Sequence, residues 1–347
     1  MKRNILINPQ MIYYDKDDKP YTPYVKARAD ITKFLEREGF IIENVAYKHS
    51  KFAPLRSLYK IISHIGVLSK IDRGDNVWFE HPEPIFEVFY KFLLRRLRRK
   101  GCKIFFITMD LHHLIYEQNI DKDICLLNFS DVTFLHADKM KHLAQQRGAK
   151  CGLRCIHFFP YYTEDTMIPE QEMLQMRDIV SFAGSLTNAD FLYDFLRTDF
   201  QNIKVRFYGF NQNVDLTPYK NKEYMGKFEP SNVSALKSGW GLVWNGVSMH
   251  SLEGMLGEYL KYNSPHKMSL YIVAGMPVIA HKDTGLARQI EEKKIGITVN
   301  SLLELDEKIG NMSEDEYKEI LHNVRTEGEK LRKGGNFIEI VREYINS

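Results

Sequence analysis

Short runs of β-branched and aromatic residues alternate with longer amphipathic stretches over most of the 347-residue chain. Side chains of a strand repeat every two residues and those of a helix every 3.6, so the two periods separate the elements. In the first half, the runs at 4–8, 40–47, 76–80, 103–108, 132–136 and 155–159 read as strands. Between them 24–38, 54–68, 84–99, 111–129 and 138–147 read as helices. After Pro160 the segment YYTEDTMIPEQEMLQMRD has no strand pattern and reads as a linker. The alternation then restarts, with strands at 179–183, 205–208, 241–244, 277–281 and 296–299. Helical segments lie at 189–198, 230–238, 266–274, 285–293 and 302–310, and the C-terminal stretch is helical and charged. Such alternation marks parallel α/β architecture. The expected fold is two Rossmann-like α/β domains facing each other across a cleft, at 1–162 and 177–330. A C-terminal helix within 331–347 is expected to pack back on the first domain.

Open parallel sheets bind ligands beyond the C-terminal ends of their strands, next to helix N-termini. Two such domains place one ligand on each sheet. No G-x-G-x-x-G follows a strand and no G-x-x-x-x-G-K-[ST] occurs, so the dinucleotide and P-loop readings lose their main support. A formal charge of +3 is too small to argue for nucleic-acid binding. No stretch approaches the roughly 20 apolar residues that span a bilayer. The N-terminal MKRNILINPQMIYYDKDD breaks at Pro9 and turns acidic, unlike a signal peptide. Cys102, Cys125, Cys151 and Cys155 form no CxxC pair, and Cys102 and Cys155 read as small hydrophobes at strand starts. Reduced thiols in a cytoplasmic protein are expected.

The most informative segment is GWGLVWNGVSMHSLEGMLGEYLKYNSPHKMSLYIVAGMPVIAH, residues 239–281. Its buried strand ends in Asn245–Gly246, and YNSPHK opens a helix after a Ser-, Gly- and Glu-rich loop. Asn263 or Ser264 can cap that helix, and Pro265 suits its first turn. Lys267 falls in the same turn, where a cation opposes the helix dipole unless an anion is present. Free backbone N–H groups and the ammonium together make a diphosphate cradle. A routine cap with a surface lysine is the competing reading, and the residues alone leave the two level.

The pattern GLVW…EYLKYNSPHKMSLYIVAGMPVIA resembles bacterial GT-B glycosyltransferases of the β-1,6-galactofuranosyltransferase type, and the related streptococcal glucosyltransferase that extends glycans on adhesins. The resemblance extends to KIFFITMDLHHLIY, FSDVTFLHADKMKHL, IVSFAGSL and NVRTEGEKLRKGGNF, in the same order along most of the chain. It implies a UDP-sugar donor, a glycan or lipid-linked glycan acceptor, and no obligatory metal or other cofactor. It also implies an acceptor-side first domain and a nucleotide-sugar-binding second domain. Lys267 is then expected at the donor phosphates, with Asn263 and Ser264 lining the nucleotide. Many retaining GT-B enzymes carry two glutamates eight positions apart ahead of a Gly-x-Pro. Tyr262 and Leu270 stand there in this chain. Both carboxylates are missing, which favours inversion with one general base.

That base is expected in the first domain. Asp110 follows the apolar run at 103–108 and is read either as base or as helix cap, with His112 as a second catalytic candidate. His81 in WFEHPEP and Asn8 at the end of the first strand are acceptor-side candidates. Donor-side candidates are Gly184, Ser185, Asn188, Tyr208 and Asn245, with Gly209 and Lys227 as weaker ones. The histidine contexts lack carboxylates at metal-ligand spacing, so no metal site is expected. The run RRLRRK at 95–100 reads as a helix C-terminus, where cations suit the dipole, with contact to anionic lipids as the alternative. Homo-oligomerisation is left open. Competing functions are a sugar-nucleotide 2-epimerase and a non-catalytic glycan-binding partner subunit, with a dehydrogenase last.

Overall fold

The computed structural model describes residues 2–10, 26–46, 53–184, 186, 189–209 and 215–345. They fall into two units. The first holds the chain up to His136, Met140–Ile156 and the residues from Phe337; the second holds Ala137–Lys139 and His157–Asn336.

The first unit runs β1 (Asn4–Gln10), α1 (Lys26–Arg37), β2 (Ile41–Ala46), α2 (Ala53–Lys70), β3 (Asn76–His81) and α3 (Glu87–Arg99). It continues with β4 (Lys103–Thr108), α4 (His112–Tyr116), α5 (Asp121–Leu127), β5 (Val132–Leu135), α6 (Asp138–Gln146) and β6 (Gly152–Cys155). The strands pair in parallel in the order β2-β1-β3-β4-β5-β6, with Ile7 opposite Phe79 and Phe79 opposite Phe106. Every residue of β3 is buried, and Trp78 stacks on Phe105 at 4.1 Å between ring centroids. Strands buried on both faces read as continuous apolar runs, which is why this part of the chain was legible.

Two expectations for this unit need correction. The helix expected over 111–129 is two helices, because Gln118 adopts φ 49° between them and an α-helix cannot pass through that conformation. The strand expected at 155–159 lies at Gly152–Cys155, so Cys155 ends a strand instead of starting one. His157, at φ 59°, turns the chain away, and Phe158 is buried in the core of the second unit. Its apolarity reflects that burial and not a strand.

The second unit runs α7 (Glu170–Gln175), β7 (Ile179–Ala183), α8 (Leu192–Arg197), β8 (Lys204–Tyr208), β9 (Lys222–Gly226), β10 (Trp240–Val243) and α9 (Met255–Leu260). Then come α10 (His266–Ala274), β11 (Val278–His281), α11 (Ala287–Glu292), β12 (Gly296–Val299), α12 (Leu305–Gly310) and α13 (Glu314–Arg332). The parallel order is β12-β11-β10-β7-β8-β9. Edge strand β9 escaped the hydrophobic pattern because its side chains Glu223, Tyr224 and Met225 are exposed. The helix expected at 230–238 shrinks to one 3-10 turn at Val233–Ala235. α7 and α9 fall in segments expected as linker and loop, and each is a single short helix.

The final helix, α14 (Gly335–Ile345), returns to the first unit. Tyr344 packs edge-on against Phe105 (5.6 Å) and Phe134 (5.9 Å), Phe337 lies 6.4 Å from Phe134, and Arg342 forms a two-bond pair with Glu38.

Both strand orders contain a point where the chain reverses its direction of travel along the sheet, which is where doubly wound sheets open for ligands. In the first unit it lies between β1 and β3, so Asn8 and His81 flank it. In the second it lies between β7 and β10, so Gly184 and Asn245 flank it.

Candidate functional site

In the second unit the strand ends are locked backbone to backbone. Gly184 N–H donates to the Tyr208 carbonyl (2.9 Å) and Gly209 N–H to the Gly226 carbonyl (2.9 Å). Gly209 adopts φ 113°, and a Cβ there would collide with the Gly184 carbonyl oxygen, so this position requires glycine. Tyr271 of α10 lies across Gly241, where any Cβ would run into its ring. Its hydroxyl accepts from Ala183 N–H (2.8 Å) and donates to the Leu242 carbonyl (3.3 Å). One side chain, from the second half of α10, therefore pins that helix to the ends of β7 and β10. Sequence reasoning did not single out Tyr271. The signal was present, since Gly241 is a glycine inside a buried strand, which marks a close approach.

The cap of α10 differs from expectation. Pro265 occupies the N-cap position, with no side-chain cap hydrogen bond, and neither Asn263 nor Ser264 fills it. Ser264 is buried. The Asn263 side-chain oxygen is buried with no hydrogen-bond partner. In the first turn Met268 N–H donates to the Pro265 carbonyl (2.9 Å). Lys267 sits in that turn, with its Nζ 4.5 Å from the centroid of Phe182, the penultimate residue of β7. The same Nζ lies 3.4 Å from where a Gly184 Cβ would stand. Burial of the ammonium pulls its pKa down to about 8, although part of the side chain stays accessible. Among the described residues no carboxylate pairs with it.

Other donor-side candidates fall into place unevenly. Asn245 is half-buried just past β10, in a loop shaped by Trp244 Nε1–H donating to the Ser248 carbonyl (2.9 Å). Tyr208 is a core residue whose hydroxyl accepts from Lys237 N–H (2.8 Å), so only its backbone reaches the strand end. Lys227 is exposed. Ser185 and Asn188 lie outside the described residues.

In the first unit Asp110 is half-buried, two residues past β4. It is not the cap of α4, because Leu111 holds that position. The capping carboxylate is Asp123, from α5, which accepts from Leu114 N–H (2.9 Å) and His113 N–H (3.4 Å). Burial raises the Asp123 pKa to about 6. The spacing Asp121–Asp123 resembles an Asp-x-Asp metal motif, but Asp123 is used as a cap and Asp121 faces Arg147 at 3.4 Å. A second such spacing, at 15–17, lies outside the described residues.

His112 is exposed at the start of α4, and partial cover of its ring, then the charges of His113 and Arg28, lower its pKa. His81 is buried, stacked on Phe106 (4.4 Å), with Nδ1 3.1 Å from the Tyr90 hydroxyl. Burial, then His112 and Arg28, lower its pKa to about 3, so it is neutral at physiological pH. Asn8 Nδ2–H donates to Asn44 Oδ1 (2.9 Å) across the β1–β2 pair. Next to His81, the fully buried Glu80 pairs with Arg28 at 2.9 Å. Burial raises the Glu80 pKa to about 7 in spite of Arg28. A carboxylate inside an otherwise apolar strand was visible in the sequence, whereas its partner on α1 was not.

A family model described as Glucosyltransferase 3-like, N-terminal domain, matches residues 11–151, and the corresponding C-terminal domain matches residues 180–343. Beta-1,6-galactofuranosyltransferase WbbI of Escherichia coli K12 is 27% identical over 222 residues, covering 62% of this chain and 64% of that protein. That match therefore spans less than two thirds of the relative. Glucosyltransferase 3 of Streptococcus gordonii is 24% identical over 314 residues, 89% of this chain and 90% of that one. Among solved structures, Anabaena HepE in complex with UDP superposes with a TM-score of 0.62 at 11% identity, over 99% of this chain and 100% of the other. AviGT4, a glycosyltransferase involved in avilamycin A biosynthesis, gives 0.56 at 11% identity, over 100% and 96%. These likenesses show the fold, a GT-B pair of Rossmann-like α/β units. No helix among the described residues is long and apolar enough to cross a membrane.

Proposed function

The chain belongs to the glucosyltransferase 3-like family, and on that premise we propose that it moves a hexosyl group, galactofuranose or glucose, from a UDP-sugar to a glycan hydroxyl. The observation that carries this reading is Lys267, an ammonium that pairs with no carboxylate among the described residues, in the first turn of α10, where the N-cap Pro265 makes no side-chain hydrogen bond. As the sugar leaves UDP, charge grows on the β-phosphate. A fixed ammonium at the start of α10 stabilises that charge without reorganising. We assign Lys267, Asn263, Ser264, Gly184 and Asn245 to the donor side, by their grouping around α10 and the β7–β10 switch point. No metal is required in this scheme.

The transfer is an inverting displacement. The acceptor oxygen attacks the anomeric carbon, the bond from that carbon to the phosphate oxygen breaks, and the hydroxyl proton goes to a base. Asp110 takes that role, and His112 beside it is the second candidate. Tyr262 and Leu270, where retaining relatives place carboxylates, support inversion. His81 and Asn8 flank the β1–β3 switch point and border the acceptor, a glycan or lipid-linked glycan. Family membership does not favour a 2-epimerase, which needs no acceptor.

The deciding experiment is turnover of UDP-glucose and UDP-galactofuranose with a glycan acceptor, reading the anomeric configuration of the product by NMR. An inverted glycoside supports the scheme. UDP release without glycoside, or 2-epimerised donor without acceptor, overturns it.

A further inference from the structure

Helices α2 and α3 carry the crossovers from β2 to β3 and from β3 to β4. Both crossovers travel the same way along the sheet, so right-handed connections lay them side by side on one face. Phe89 ties them together, lying edge-on to His64 of α2 (6.3 Å) and stacked on Phe92 (5.9 Å). Helix α2 turns His64 and Val67 inward. It turns Leu58, Ile62 and Ile65 outward, at helical spacing, with 51%, 56% and 50% of their surfaces accessible. Helix α3 buries Tyr90, Leu93, Leu94 and Leu97, and presents Val88 (82%) and Phe92 (50%) to solvent.

Scattered exposed hydrophobes are ordinary, but five of them in adjoining rows on two neighbouring helices are not. The Val88–Phe92 row continues into Arg95 and Arg99, with Arg96 beside it, all exposed. Among the described residues none of these three arginines pairs with a carboxylate, whereas Lys91 on the same helix pairs with Glu87 at 2.5 Å. An apolar field that runs into unneutralised guanidinium groups matches a bilayer surface, where the hydrophobes enter the acyl boundary and the cations meet the phosphates. Helix α2 carries no acidic residue and the single one of α3, Glu87, is held by Lys91, so a second copy docked through the same patch offers these arginines no partner.

We propose that the α2–α3 face of the first unit docks peripherally on an anionic lipid surface, independently of the transfer reaction. The test is flotation of the full chain with vesicles of phosphatidylcholine alone or mixed with phosphatidylglycerol, at low and high salt. Ile62→Ser/Phe92→Ser and Arg95→Gln/Arg99→Gln change only exposed side chains, and thermal melts report whether each variant is folded. The wild type is expected to float only with phosphatidylglycerol, and less at high salt. Losing two cations lowers partitioning about 30-fold, and the serine pair abolishes flotation, with UDP affinity unchanged in both. Absence of wild-type flotation with phosphatidylglycerol overturns the proposal, as does flotation that survives both double substitutions. A wild-type dimer that the serine pair splits, without any flotation, identifies the face as a contact between copies and equally overturns it.

Discussion

The Nζ of Lys267 rests 4.5 Å from the centre of the Phe182 ring, so an aromatic face holds this ammonium where most half-buried lysines meet a carboxylate. An aromatic face attracts a cation without neutralising it. The full positive charge therefore stays available to an incoming anion, at the cost of a lowered pKa.

Lys267→Ala is expected to weaken UDP binding by about 1.5–3 kcal/mol, the scale of a hydrogen bond to a charged group. The pH profile is a sharper check. Only the protonated form binds phosphate well, and the free-protein pKa is about 8. UDP affinity should therefore fall as pH rises from about 7 through that value, while Lys267→Arg shows no such fall over the same range. Calorimetric titration between about pH 7 and 9 decides, and a flat wild-type profile there would remove the ammonium from the donor site.

Asp110→Asn keeps the shape of the side chain and removes its capacity to accept a proton. Turnover should drop by about 10²–10⁴-fold, with UDP affinity nearly unchanged. Near-normal kcat in the variant would pass the base role to His112, which His112→Gln then tests.

Activity should persist in EDTA. Asp121 and Asp123 are committed to Arg147 and to the start of α4, so that pair is not arranged to hold a divalent ion against phosphates. Turnover that vanishes on chelation and returns with manganese contradicts the scheme.

The Glu80–Arg28 pair predicts a stability effect of definite sign. Burial holds the Glu80 pKa near 7, above its ordinary 4.5, so the folded protein binds more protons than the unfolded chain between those values. Glu80 thus makes stability fall as pH rises from 4.5 toward 7, and Glu80→Gln should flatten that decline in denaturant titrations. Arg28→Met removes the charge that lowers the Glu80 pKa, so the carboxyl protonates at neutral pH and the cost should stay below about 3–5 kcal/mol, that of a stranded buried charge. A melting temperature unchanged in Arg28→Met would show the pair to be hydrated.

Gly209→Ala should destabilise by about 1–3 kcal/mol through its left-handed backbone and displace the Gly184 carbonyl. UDP affinity should fall together with the melting temperature. Loss of stability with intact affinity would separate Gly184 from the nucleotide.

The parallel strands were legible because their residues are buried on both faces, and β4 and β7 fall where the pattern put them. Edge strand β9 was not, because its exposed side chains carry no apolar signal. Phe158 misled, since apolarity records burial and not the partner that buries it. At the site, Lys267 and the glycines stood out by residue type and local spacing. Long-range partners such as Arg28 for Glu80, Tyr271 for Ala183 and Asp123 for α4 depend on which elements become neighbours, which local pattern does not encode.

The return of α14 to the first unit sets an order of events on the ribosome. By the time β6 has emerged, the nascent chain has delivered all six strands of the first sheet, yet Phe105 and Phe134 still lack Phe337 and Tyr344. The whole second unit must be translated before those rings are covered, on the order of tens of seconds at typical synthesis rates. Over that interval the half-finished first unit offers an aromatic surface to chaperones or to other nascent chains. A polypeptide cut before α14 keeps that surface permanently, so aggregation during synthesis, more than loss of the site, is the expected fate of truncated copies.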